Sequence, residues 1–96
     1  MSGKIKNISV LMPVYNGAKF VRQSISSILN QTNKEFELVI IDDGSTDGTD
    51  KIIKEYSDSR IRYFRIEHSG TSAALNIGVT KCRYEWIARI DADDIN

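Results

Sequence analysis

Two apolar runs limit most strongly what this chain can fold into. Ile8-Ser9-Val10-Leu11-Met12 and Phe36 to Ile41 are rich in β-branched residues, and Leu38-Val39-Ile40-Ile41 is apolar without interruption. A strand with one wet face alternates polar and apolar residues, whereas a continuous apolar run belongs to a parallel strand covered on both faces. Each run gives way at once to turn-forming residues. Pro13-Val14-Tyr15-Asn16-Gly17 follows the first, and Asp42-Asp43-Gly44-Ser45-Thr46-Asp47-Gly48-Thr49 follows the second. Pro13 lacks an N–H and is expected to stop the ladder of the first strand. Asn16-Gly17 is a turn signal.

Between and beyond these runs the period changes. Val21, Ile25, Ile28 and Leu29 fall on one face of a helix that begins near Lys19. Asn30 to Lys34 is a polar break. Ile52, Ile53 and Tyr56 give a second helix its apolar stripe, and Ser57-Asp58-Ser59 ends it. Ile61 to Ile66 reads as a third strand, with Arg60, Arg62 and Arg65 marking a solvated edge. Glu67-His68-Ser69-Gly70-Thr71 is a loop leading into a third helix, whose Ala73, Ala74, Ile77 and Gly78 make a small-residue face for close packing. Glu85 to Ile90 reads as a fourth strand, buried and with Trp86 in the core or on a sheet face.

Strand and helix therefore alternate three times before a final strand. This predicts an α/β fold, a three-layer Rossmann-like unit with a parallel sheet of strand order 3-2-1-4 and right-handed crossovers. The first two helices then share one sheet face and the third stands alone on the other. That face is under-covered and the fourth strand leaves an open edge, which a partner chain, a homodimer or further sequence is expected to cover.

Bulk properties narrow the function classes. The 96 residues form a single domain, residues 1–96, with 41% hydrophobic and 27% charged residues. Thirteen basic residues balance thirteen acidic ones, so no net field draws in nucleic acid or anionic lipid. The lone Cys82 allows no internal disulfide. No run reaches membrane-spanning length and the N-terminus has no secretory apolar region. A cytoplasmic domain is expected, with any membrane association left to a longer parent protein.

In doubly wound sheets, ligands bind at the carboxyl ends of the strands where the strand order reverses, here between strands 1 and 4. Three motifs meet at that end: Pro13-Val14-Tyr15-Asn16, Asp42-Asp43-Gly44-Ser45 and Asp91-Ala92-Asp93-Asp94. Tyr15 and the backbone groups after Pro13 can hold a nucleobase by stacking and edge hydrogen bonds. Asp43 can accept a ring N–H from uracil. Asp91 and Asp93 alternate around Ala92 and would share one face of an extended backbone. Their like charges call for a cation between them, and carboxylate oxygens suit Mg²⁺ or Mn²⁺. The chain has no Gly-x-Gly-x-x-Gly and no Gly-Lys-Ser/Thr phosphate cradle, so a metal is expected to hold the phosphates.

These residues resemble the nucleotide-binding half of an inverting, family 2-type glycosyltransferase with the GT-A fold. The resemblance is carried by Val10 to Gly17, Ser24 to Thr32, Ile41 to Thr49, Gly70 to Gly78 and Ala88 to Asp94, in that order and across nearly the whole chain. It implies a UDP-sugar donor, a Mn²⁺ or Mg²⁺ ion at Asp91-Ala92-Asp93, and transfer to a glycan or lipid-linked acceptor, in bacteria a surface polysaccharide. Carried over residue by residue, Pro13, Val14, Tyr15, Asn16, Asp43, Asp91 and Ala92 meet the nucleotide, with Tyr15 near the uracil. Asp93 and Asp91 hold the metal, Asp94 supports them, and Asp42 shapes its loop. Many relatives carry Arg where this chain has Leu75, so a donor contact from that side chain is lost.

Simpler roles account for the remaining polar residues. Asp47 reads as a helix-start residue. His68, the only histidine, reads as a loop residue rather than a general base, and Gln31-Thr32 as a turn. Inverting transfer needs a base to deprotonate the acceptor hydroxyl. The resemblance places that base well downstream of the Asp-x-Asp motif, and no residue here fits it. The chain is therefore expected to be the donor half of a longer enzyme and inactive alone. Two other readings are a non-catalytic nucleotide-sugar-binding module and a receiver-type metal-binding domain built on Asp42-Asp43. The receiver reading is disfavoured because the third strand ends in Ile66-Glu67-His68 without a phospho-acceptor Asp.

Overall fold

The computed structural model describes residues 7–31 and 35–91. The elements run β1 (Ile8–Val14), α1 (Val21–Leu29), β2 (Phe36–Asp42), α2 (Thr49–Lys54), β3 (Ile61–Arg65), α3 (Thr71–Lys81) and β4 (Trp86–Arg89). All strand pairs are parallel and the order is β3-β2-β1-β4, the expected reversal. The β1–β2 pair keeps register from Ile8↔Phe36 to Val14↔Asp42.

That register corrects one expectation. Pro13 does not end β1; it lies within the strand opposite Ile41. Leu11 turns its backbone toward β4, where its carbonyl accepts from Ile90 N, while Val14 turns its carbonyl toward Asp43 N. Because bonding alternates along a parallel strand, the nitrogen of Pro13 faces the β4 side. The β1–β4 pairing has ended there, at Leu11↔Arg89. With Ile90 N bonded to Leu11 O, the next bond on that side would need the Pro13 N–H, so the proline ends the pairing with β4 while the pairing with β2 runs on.

Each sheet face has its own core. On the α1/α2 face, Val10, Met12, Val14, Leu38 and Ile40 meet Val21, Ile25, Ile28 and Ile53. The helical spacing of Val21, Ile25 and Ile28 aims all three at the sheet, and all are buried. On the other face Leu11, Val39 and Ile41 meet α3 through Ala74. Burying a Leu, Ile or Val side chain contributes roughly 1.5–3 kcal/mol, so the larger cluster anchors the fold. Gly78 lets α3 lie close on the sheet: a Cβ there would run into Leu11 Cδ1 and Ile41 Cγ1.

β4 departs from the expected buried strand. Trp86 is 60% exposed and Ile87 40%. The register puts Trp86 beside Ile8 on the α1/α2 face, at the rim of that core rather than within it. The reason is position: β4 is the outermost strand and pairs with β1 alone over four residues. Its apolar composition looks the same in sequence as that of a central strand.

At the amino end of the sheet, Glu37 is buried opposite Ser9. Its carboxylate accepts from Ser9 Oγ at 2.6 Å, Arg83 N at 2.7 Å and Arg62 Nη1 at 3.0 Å. Burial works against the charge, but these donors outweigh it and hold Glu37 below the usual carboxylate range. Ser9 Oγ also accepts from Tyr84 N, and Arg62 donates to Lys81 O, so the network fixes the turn between α3 and β4. The arginines of β3 and the one before it are thus not a purely solvated edge. Arg60 pairs with Asp58, Arg62 with Glu37, and Arg65 with Asp42.

Candidate functional site

The carboxyl ends of β1 and β2 are stitched together by their following loops. Asn16 sits in the left-handed region at φ 50°, which a short polar side chain tolerates. Its N–H donates to Ser45 Oγ at 2.8 Å and its Oδ1 accepts from Thr46 N at 2.7 Å. Asp47 accepts from Ala18 N and from Thr49 N, which makes it the helix-start residue expected for α2.

Asp42 and Asp43 are neighbours in an extended segment and point to opposite faces. Asp42 is fully buried and accepts from Ser45 N at 2.8 Å, Tyr63 Oη at 2.6 Å and Arg65 Nη1 at 3.3 Å. Burial and the bond to Asp42 push the Tyr63 phenol up to about 12. Asp42 therefore shapes its loop, as expected. Asp43 turns toward α3 and is 3% exposed. Its Oδ1 accepts from Ser69 N at 2.8 Å; its Oδ2 accepts from Gly70 N at 2.9 Å and from His68 Nδ1 at 2.9 Å. The carboxylate can only accept, so His68 carries its proton on Nδ1. Burial would raise the Asp43 pKa, but the amides of Ser69 and Gly70 and the imidazole of His68 together hold it below the ordinary value. The two amides lie just before α3, where the helix dipole also favours an anion.

Tyr15 extends from the tip of β1 and is 47% exposed. Its ring stacks on His68, with centroids 4.1 Å apart and planes 18° apart. Asp91, just past β4, accepts from Arg89 Nε at 3.1 Å and Nη2 at 3.3 Å. Tyr15 and Asp91 border a cleft of about 340 Å³ whose wall also includes Pro13, Val14, Asn16 and Asp43, with Phe20, Thr71 and Arg89; His68 lies behind Tyr15 and Asp43, outside that wall. The structure thus gathers six of the residues picked out in the sequence around one opening. Ala92, Asp93 and Asp94 lie outside the described residues.

Donor chemistry gives a test for a metal. Among the described residues no three His, Cys, Asp or Glu side chains cluster as a metal site. At the cleft, Asp91 supplies one carboxylate, half-exposed and paired with a single arginine. A hard divalent cation that keeps waters and phosphate oxygens as ligands needs only one or two protein carboxylates. Asp91 fits as one of them.

Three contributors escaped the sequence reading. His68 reads as an isolated loop histidine, but β3 lies beside β2, so the loop after β3 falls against Asp43. That adjacency was legible in the strand order. Arg89 faces the cleft because it shares a sheet face with Leu11 and Asp91, and the period of two could have shown it. The amides of Ser69 and Gly70 carry no side-chain signature at all.

The chain resembles known proteins throughout its length. The family model described as Glycosyl transferase family 2 matches residues 9–96. The O-antigen biosynthesis glycosyltransferase WbnJ of Escherichia coli is 46% identical over 92 residues, 93% of this chain and 36% of WbnJ. S. aureus TarS in complex with UDP-GlcNAc superimposes with a TM-score of 0.84 at 29% identity, over 93% of this chain and 27% of that one. The mannosyltransferase PcManGT from Pyrobaculum calidifontis, in complex with GDP-Man and Mn²⁺, gives 0.82 at 26% identity, over 90% and 27%. The chain spans between 13% and 36% of the length of curated relatives such as these.

Proposed function

The chain belongs to glycosyl transferase family 2, and from that premise we propose that it forms the donor-nucleotide site of a UDP-sugar-dependent transferase. The observation that carries this reading is Asp43: a buried carboxylate, held ionised by three donors, at the tip of a central strand and beside an aromatic ring. Such a group recognises a ring N–H, and the N3–H of uracil is one. Tyr15 supplies the face on which the base lies. Base–aromatic stacking is worth roughly 1–3 kcal/mol. Asp91 takes a ribose hydroxyl or a metal-bound position at the far end of the cleft, and Arg89 lies within reach of the diphosphate. Solved relatives with UDP and UDP-GlcNAc support the uridine assignment.

A divalent cation belongs to the same proposal. Asp91 would hold it together with Asp93, and it would supply Lewis-acid stabilisation of the departing diphosphate. Structural neighbours in complex with Mn²⁺ support that choice. Transfer to a glycan or lipid-linked acceptor of a surface polysaccharide, on the cytoplasmic side, is the corresponding reading of the whole protein; an O-antigen biosynthesis relative supports the polysaccharide part of it.

Calorimetric titration with UDP tests the site. Binding is expected in the presence of Mn²⁺ and should weaken at least tenfold when EDTA removes the metal. Equal affinity for UDP with and without metal would sink the metal assignment. No detectable binding of UDP at millimolar concentration in either condition would sink the donor site.

A further inference from the structure

One face of Tyr15 and one oxygen of Asp43 are already taken in this structure, both by the same side chain. The imidazole of His68 lies flat on the Tyr15 ring at 4.1 Å and donates its Nδ1–H to Asp43 Oδ2 at 2.9 Å. A planar ring, one N–H aimed at a carboxylate and one face on a phenol are also what a uracil base needs from these residues. We propose that His68 is a built-in occupant of the nucleobase slot, which the base of the donor nucleotide must displace, so that residue 68 sets nucleotide affinity by competition. The inference rests on reading Tyr15 and Asp43 as the base site.

Three features make the imidazole the part that moves. First, Asp43 does not need it: Ser69 N and Gly70 N hold one carboxylate oxygen each, and both amides stay when the imidazole leaves. The departing N–H then frees a lone pair on Oδ2, already aimed into the slot. Second, the backbone of residue 68 is closely packed. Gly44, at φ +78°, lies so close that a Cβ there would be 2.8 Å from His68 N. Third, the side chain has somewhere to go. It is 56% exposed, against 5% for Asp43, so rotation about its own bonds carries the ring into solvent without moving the chain. A base that took the same face of Tyr15 and the same oxygen of Asp43 would overlap the imidazole, and that is the arrangement proposed here.

Proton NMR and calorimetry on the chain test this directly. His68 is the only histidine, so its ring protons report without assignment ambiguity. In the free chain they are expected upfield, shielded by Tyr15. Saturating UDP with Mg²⁺, which is diamagnetic and leaves nearby proton signals sharp, should return them to the positions of a solvated histidine. His68→Ala should bind UDP about tenfold more tightly, the gain expected when an occupant fills the slot roughly nine-tenths of the time. Ring protons that stay shielded under saturating UDP, or a His68→Ala variant that binds UDP equally or more weakly, would overturn the occupant. Tyr15→Ala and Asp43→Asn separate this failure from that of the base site. If both leave UDP affinity unchanged, the base site itself is wrong and the occupant falls with it. If they weaken binding while His68→Ala does not strengthen it, only the occupant is wrong.

Discussion

The two ends of the sheet each bury a carboxylate, and they differ in what satisfies it. At the amino end Glu37 is held by Ser9, Arg62 and the amide of Arg83. Those donors are themselves tied down: Ser9 Oγ accepts from Tyr84 N, and Arg62 also donates to Lys81 O. At the carboxyl end Asp43 is held by two amides and by one imidazole on a half-exposed side chain. Both carboxylates are kept ionised against burial. The amino end is closed on itself, whereas the carboxyl end has one donor that can be exchanged. A buried charge alone does not mark a site, since structural networks perturb titration just as strongly. An exchangeable donor beside a cleft does.

The largest effect that could break this contrast is at Glu37. Glu37→Gln removes the buried charge opposite Arg62 and forces one amide N–H against donors already in place. Breaking such a pair costs on the order of 3–5 kcal/mol, and the partial exposure of Arg62 puts the expected loss at the lower end. Urea denaturation should show a drop of about 3 kcal/mol, while UDP affinity of the folded fraction stays within twofold. A variant that kept its stability but lost UDP would make the amino end a functional site and erase the distinction.

Asp43→Asn comes next. The shape is kept, but an uncharged amide faces Ser69 N, Gly70 N and the incoming base. A hydrogen bond to a charged group is worth about 1.5–3 kcal/mol, so UDP affinity should fall by roughly ten- to a hundredfold, read by calorimetry. Stability should fall less than in Glu37→Gln, because His68 can swing away from an amide that no longer suits it. If the stability loss exceeded that of Glu37→Gln, Asp43 would be a structural anchor first and a ligand group second.

The same contrast explains what the sequence could and could not show. The strand order, the central place of β1 and β2, and the meeting of Tyr15, Asp43 and Asp91 follow from apolar runs, loop chemistry and crossover handedness, all local signals. Pro13 and Trp86 misled because their meaning depends on neighbours. A proline ends a ladder only where a bond is due, and an apolar strand is buried only if something covers it. Glu37 sits at a polar position in an apolar run and gave no hint that Ser9, Arg62 and the Arg83 amide converge on it from three separate segments. His68 was half legible: the strand order puts its loop beside Asp43, but its role depends on the rotamer that lays it on Tyr15.

Acid gives the smallest and most discriminating test, since it protonates the carboxylates without removing them. Glu37 and Asp43 both titrate lower in the folded chain than their ordinary values of 4.5 and 3.8. A carboxylate depressed in the folded state contributes stability that is complete above its unfolded pKa and disappears as pH falls through the folded one. Stability of the chain should therefore decline below about pH 4.5, and urea midpoints between pH 6 and pH 3 should record it. Glu37→Gln and Asp43→Asn should each flatten that decline, since each removes one group that must be protonated. UDP separates the two ends. Bound nucleotide needs Asp43 ionised, so saturating UDP should steepen the acid decline more in the parent chain and in Glu37→Gln than in Asp43→Asn, where only the metal carboxylates and the phosphate remain to titrate. An equal UDP effect in all three would mean that Asp43 does not touch the nucleotide, and that the two ends of the sheet are alike after all.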